Sequence, residues 1–219
     1  MKLKSFVSAV LLFHLGVGAK AQTSAGNVQQ QPKRAAASNE APRSSVTVQY
    51  ASDSEISLPV LITENGILFQ AKINDSPDPM YFTIDSGAAA TYFDTETAKR
   101  LGMIPAGEGN VQGAGEGTVK VQHLKNVRFE LPGLTTVHPE INTADLSGPV
   151  QEGWGGHLLS GFFGYDFIRQ FVTTIDYDKG LLTLSDPATF KYHGSGGIIP
   201  IEFMTRLGHF QVFKKPADP

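Results

Sequence analysis

Asp85 closes the run Met80-Tyr81-Phe82-Thr83-Ile84 and is followed at once by Ser86, Gly87 and Ala88. The run alternates Phe82 and Ile84 with Tyr81 and Thr83, the period of two that a strand requires. A carboxylate at the tip of such a strand is costly to hold in its charged form unless something uses it. One acid can take up or give up one proton, so the chemistry on offer is acid–base work. Gly87 has no Cβ, which lets a substrate or a second backbone come close. Ser86 adds a hydroxyl that can tie the turn to its surroundings. Taken alone, Asp-Ser-Gly equally describes an Asx-type turn after a strand.

Other chemistries find little to build on. The chain has no Cys, which removes disulfides, thiolate nucleophiles and Cys-based metal sites. Its six His are scattered, without H-E-x-x-H, and no G-x-S-x-G is present. His123, His138, His157, His193 and His209 read as surface or satisfied core residues, and His14 lies in the N-terminal leader. Gly107-Glu108-Gly109 and Gly113-Ala114-Gly115 are not followed by the Gly-Lys-Ser/Thr of a phosphate loop. The formal charge of −3, with no basic run, gives no footprint for nucleic acid.

The elements that must position Asp85 come next. Val46–Val48, Ile56–Ile62 and Ile67–Ile73 read as strands, with a hairpin turn at Asn65-Gly66 and Pro59 at a strand edge or start. Asp75–Pro79 is a proline-stiffened turn. Asp94 or Thr95 can cap a short helix from about Glu96 to Leu101, ended by Gly102. Thr118–Val121 and Val127–Leu131 alternate as two half-buried strands, and Gly153–Gly156 reads as mobile. Phe171–Tyr177 and Leu181–Leu184 make a hairpin across Asp178-Lys179-Gly180. This order predicts an all-β fold with one or two short helices.

Hydrophobic-Thr-hydrophobic-Asp-Ser-Gly-Ala resembles the active-site loop of aspartic proteases, and most closely the bacterial retropepsin-like family. Leu158-Leu159-Ser160-Gly161-Phe162-Phe163-Gly164 resembles the two-hydrophobics-then-Gly strand that in that family crosses the loop and supports its Asp. Gly164–Phe171 is similar to the short helix after that strand, and Val172–Tyr177 with Leu181–Leu184 to the closing hairpin, which makes Asp176 structural. Gly113, Gly115 and Gly117 fall where a flap would lie, where a plain glycine-rich loop is the equal alternative. The resemblance spans roughly residues 56–186. It implies a retropepsin-like acid protease lobe with Asp85 catalytic, supported by Ser86, Gly87, Ala88, Phe162, Phe163 and Gly164, and with no cofactor and no metal. Its substrate would be a peptide or protein. Ser86 stands where Thr is commoner.

The chain carries a single Asp-Ser/Thr-Gly, so the resemblance implies a second lobe, supplied by a homodimer mate or a second domain. Pro200-Ile201 and Phe210-Gln211-Val212 repeat the spacing of Pro59-Val60 and Phe69-Gln70-Ala71 after a Gly194–Gly197 linker, as a second lobe's first hairpin would. Two alternatives stay open: a non-catalytic peptide-binding module, and a shortened, inactive two-lobe protease. Lys2 and Lys4, an apolar Ser5–Ala19 and Ala19-Lys20-Ala21 read as a cleaved signal over residues 1–21. Its loss takes three lysines and no acid from a formal charge of −3, leaving −6. The expected organisation is a signal at 1–21, a disordered Gln/Ala/Ser/Pro-rich linker at 22–45, the β domain at 46–187, and a second-lobe start or tail at 188–219. The protein is expected to be exported, periplasmic or secreted, and free of the membrane once the signal is cut.

Overall fold

The computed structural model describes residues 46–112, 118–193, 201–204 and 209–212. The signal segment, the linker at 22–45, the flap glycines Gly113, Gly115 and Gly117, and the Gly194–Gly197 linker lie outside the described residues.

Period-two burial drives most of the architecture. The strands are β1 (Thr47–Tyr50), β2 (Glu55–Pro59), β3 (Leu61–Thr63), β4 (Gly66–Ile73), β5 (Met80–Ile84) and β6 (Tyr92–Asp94). After helix α1 (Thr95–Arg100) come β7 (Gly107–Gln112), β8 (Thr118–Leu131) and β9 (Leu134–Ala144). A 3-10 turn at Gly148–Gln151 leads to β10 (Leu159–Phe163), helix α2 (Tyr165–Ile168), β11 (Val172–Asp176) and β12 (Leu181–Ser185). Two further strands, β13 (Ile201–Met204) and β14 (His209–Val212), end the described chain. The fold is therefore mostly β with two short α-helices, as expected.

The main sheet runs β1-β9-β6-β10-β5-β4-β8-β7. Because β8 also pairs with β9, the strands β9, β6, β10, β5, β4 and β8 close on themselves. Closure leaves those strands no free edge. Inside lie Phe69, Phe82, Phe93, Phe129, Phe163 and Phe167, all essentially inaccessible. Phe163 is the hub: its ring centroid lies 4.2 Å from that of Phe167, 4.8 Å from Phe129, 5.3 Å from Phe82 and 5.7 Å from Phe69. A smaller sheet, β11-β12-β2, packs Leu58, Leu182 and Leu184 into the same core.

Four local expectations need correction. The apolar run Ile56–Ile62 is two strands in different pairings, not one. Pro59 ends the ladder of β2 with β12, and from Leu61 the chain pairs with β4 instead. Thr118–Val121 and Val127–Leu131 are two ends of the single strand β8, which continues through Asn126 at a φ of 53°. The stretch Gly153–Gly156 is anchored. Trp154 is buried with Leu68 and Leu159, its Nε1 donates to Val150 O at 2.7 Å, and Asn65 Nδ2 donates to Glu152 O at 2.6 Å. Finally, β13 and β14 do form a hairpin, but it does not copy the β3–β4 hairpin. In β3–β4 Leu61 pairs with Leu68 and Thr63 with Gly66, whereas in β13–β14 Ile201 pairs with Val212, Phe203 with Phe210 and Met204 with His209, so the repeated spacing falls in a different register. The cap of α1 is as expected: Asp94 Oδ2 accepts from Thr97 N at 2.8 Å.

Candidate active site

Strand β5 delivers Asp85 to the rim of the closed sheet, and β10 fixes where it stops. The two strands run parallel, with Phe163 opposite Ile84. One step further, Asp85 N donates to Phe163 O at 3.0 Å. The turn then folds around the carboxylate: Gly87 N donates to Asp85 Oδ1 at 2.8 Å, and Ala88 N donates to Asp85 O at 3.2 Å. A Cβ on Gly87 would sit 3.2 Å from that same Oδ1. Asp85 and Ser86 are half-buried and Gly87 is exposed, so the acid faces the surface from a fixed base.

The second strand of the motif supplies more than backing. Gly164 follows β10 and lies directly under the loop, where a Cβ would come within 2.2 Å of Ala90 O and 2.9 Å of Ala88 O. Only glycine admits that approach. Next to it, Tyr165 N donates to Ala88 O at 2.8 Å. Gly161 plays the same part on the other side, with room for a Cβ closed by Tyr92 O at 2.4 Å. Phe163 points into the core, whereas Phe162 is partly exposed and stacks on Tyr92, ring centroids 4.9 Å apart. The sequence-predicted residues Asp85, Ser86, Gly87, Ala88, Phe162, Phe163 and Gly164 thus meet in one place.

Several neighbours carry no motif of their own. Thr91 is fully buried, and its Oγ1 donates to Asp166 Oδ1 at 2.8 Å. His138 Nδ1 reaches Asp166 Oδ2 at 3.3 Å. His138 is a core residue as expected, but only half satisfied, because its Nε2 is buried without a hydrogen-bond partner. Burial pushes the Tyr92 hydroxyl above its ordinary pKa. A hydrogen bond with Asn142 pulls it down, and the charges of Asp166 and Asp85 push it up again. Asp176 ends β11, opposite Leu181, and its carboxylate pairs with Lys179 at 2.7 Å. A separate pocket is lined by Ile62, Thr63, Glu64, Gly153 and Gly155 at the β3–β4 turn and includes none of residues 85–88. Its shape is concave, but it offers one exposed acid and no carboxylate pair, so the chemistry is sought at Asp85.

A family model described as aspartyl protease matches residues 69–167. No curated protein matches the chain. Among solved structures, it is similar to a retropepsin-like aspartic protease from Rickettsia conorii, with 21% identity over 65% of this chain and 94% of that one and a TM-score of 0.37. It is also similar to an aspartic proteinase from Irpex lacteus, with 14% identity over 63% of this chain and a TM-score of 0.38. The chain spans 48% of that second protein, about half its length. The loop at Asp85 and the strand crossing beneath it both lie within residues 69–167, the stretch that matches the aspartyl protease family model.

Proposed function

We propose that the chain is an aspartic endopeptidase in which Asp85 supplies one catalytic carboxylate and Asp85 of a second copy supplies the other. The observation that carries this reading is the half-buried carboxylate held at the rim by Gly87 N, on a loop locked to Phe163 O. Two carboxyls brought to about 3 Å cannot both ionise, so they share one proton, as aspartic proteases in general do. The ionised member takes a proton from water as its oxygen attacks the peptide carbonyl carbon. The neutral member hydrogen-bonds the carbonyl oxygen. Collapse of the tetrahedral intermediate breaks the C–N bond, with the proton passed to the departing nitrogen. The reaction calls on no cofactor, and its substrate is an extended peptide or unfolded protein segment.

One lobe does half of this chemistry, which gives the test. At concentrations where the dimer is the minor species, its fraction rises in proportion to total protein. A tenfold dilution in that range should therefore lower specific activity by about tenfold, and sedimentation should show a monomer–dimer exchange. Cleavage with a specific activity independent of dilution, from a sedimenting monomer, would overturn the dimer. No cleavage at any concentration would favour a peptide-binding module.

We also propose that residues 1–21 are an export signal, 22–45 a linker and 46–187 the protease domain, with 188–219 a tail or second-lobe start. The mature protein would be periplasmic or secreted. Protein recovered from outside the cytoplasm should have a mass that begins at Gln22. A recovered chain that still carries Met1 would count against cleavage.

A further inference from the structure

The loop that carries Asp85 is held at its start by β10 and at its end by Thr91, and the end is the more elaborate attachment. Thr91 Oγ1 donates to Asp166 Oδ1 at 2.8 Å and accepts from Gly164 N at 3.4 Å. Its backbone oxygen accepts from Asn142 N at 3.0 Å. Asp166 Oδ1 also accepts from its own helix, at Phe167 N, 2.9 Å away. The remaining oxygen, Oδ2, faces His138 Nδ1 at 3.3 Å. An ionised carboxylate only accepts, so His138 must carry a proton on Nδ1. In the neutral ring that leaves Nε2 as a bare acceptor, and it has no partner. The ring is fully buried, flat against Phe167 with 9° between the planes and edge-on to Phe129. An unpaired buried acceptor is costly, and an apolar side chain would fill the same space without that cost. What the histidine adds is a donor that fixes which way Asp166 points.

We propose that Asp166 is a positioning residue for the loop carrying Asp85, acting through Thr91, and that His138 holds its carboxylate in the required rotamer. The proposal rests on the reading of Asp85 as the catalytic acid. Loops of this kind must be held to a fraction of an ångström, and small displacements are expensive in rate.

Thr91→Val keeps the volume and removes the hydroxyl. It should lower kcat by about tenfold or more with KM within about twofold, and Thr91→Ser should recover most of that loss. Asp166→Asn keeps an oxygen for Thr91 Oγ1 and Phe167 N and presents an amide to His138. It should therefore recover most of the kcat lost in Asp166→Ala, which removes that oxygen and should lower kcat by about tenfold or more, while the His138 proton moves from Nδ1 to Nε2 in 15N spectra. Hydrogen exchange read without substrate should show residues 85–92 exchanging about tenfold faster in Thr91→Val and unchanged in Thr91→Ser. That measurement decides the positioning role even for a protein that cleaves nothing; inactivity of the wild type would count against Asp85 alone. A folded Thr91→Val protein with unchanged kcat or exchange would overturn the proposal. So would a rate loss accompanied by faster exchange throughout the barrel, which is general destabilisation.

Discussion

Replacing Asp85 with Asn should lower peptide cleavage by about 10⁴-fold, the upper end of what positioned proton transfer contributes. On the proposed dimer the loss is large because a symmetric pair would lose both carboxyls to one substitution, and an amide neither takes a proton from water nor donates an acidic one. The fold should not notice. The Asp85 carboxylate makes its visible hydrogen bond as an acceptor, from Gly87 N at 2.8 Å, and an asparagine oxygen can accept there equally. Stability should stay within about 0.5 kcal/mol of wild type, the ordinary range for a surface change. Parallel measurements of peptide cleavage and thermal unfolding separate the two effects. Cleavage that survives in a folded Asp85→Asn protein would remove this acid from the mechanism.

The largest effect on stability is expected at Phe163. Truncation to Ala removes a ring in contact with Phe69, Phe82, Phe129 and Phe167 and leaves a cavity in the middle of the barrel. Such changes cost about 3–5 kcal/mol, against about 5–15 kcal/mol holding a domain of this size. Urea unfolding should show the midpoint falling by that free energy divided by the slope, with little change in the slope itself. Phe163→Leu keeps most of the volume and should lose much less. Equal, small losses in both variants would show that the ring cluster is not the centre of the core. Since Phe163 O is what Asp85 N binds, the alanine variant should also lose activity while still partly folded.

How much of this was legible follows from distance along the chain. Asp85 and Gly164 could be found because each sits in a short local stretch that resembles a family motif, although either stretch alone reads equally as an ordinary turn or core strand. The alternation before Asp85 announces a strand, and Gly87 and Gly164 mark close approaches. The cap at Asp94 was visible for the same reason, being settled within four residues. The misreadings were non-local. Nothing between Ile56 and Ile62 says that Leu58 will pair with Leu182 while Leu61 pairs with Leu68. The polar stretch at Gln122–Asn126 looks like a break in alternation, yet the long partner β9 carries the ladder across it. Trp154 looked like part of a mobile, glycine-rich stretch because Leu68, which packs with it, lies far upstream. Thr91, His138 and Asp166 had no signal at all. Separations of 75 residues between Thr91 and Asp166 and 28 between His138 and Asp166 leave no spacing to recognise, and each residue type is common.

The passage of β10 beneath the Asp85 turn also sets a schedule. A ribosome makes the turn early and its underlay late: Gly164, which fills the space under Ala90, is joined 73 residues after Thr91. Until that segment emerges, the acid hangs on an unsupported hairpin, and pairing over so long a loop is slow to form. A nascent chain therefore holds the Asp85 turn without the close glycine packing of Gly164 until β10 has emerged.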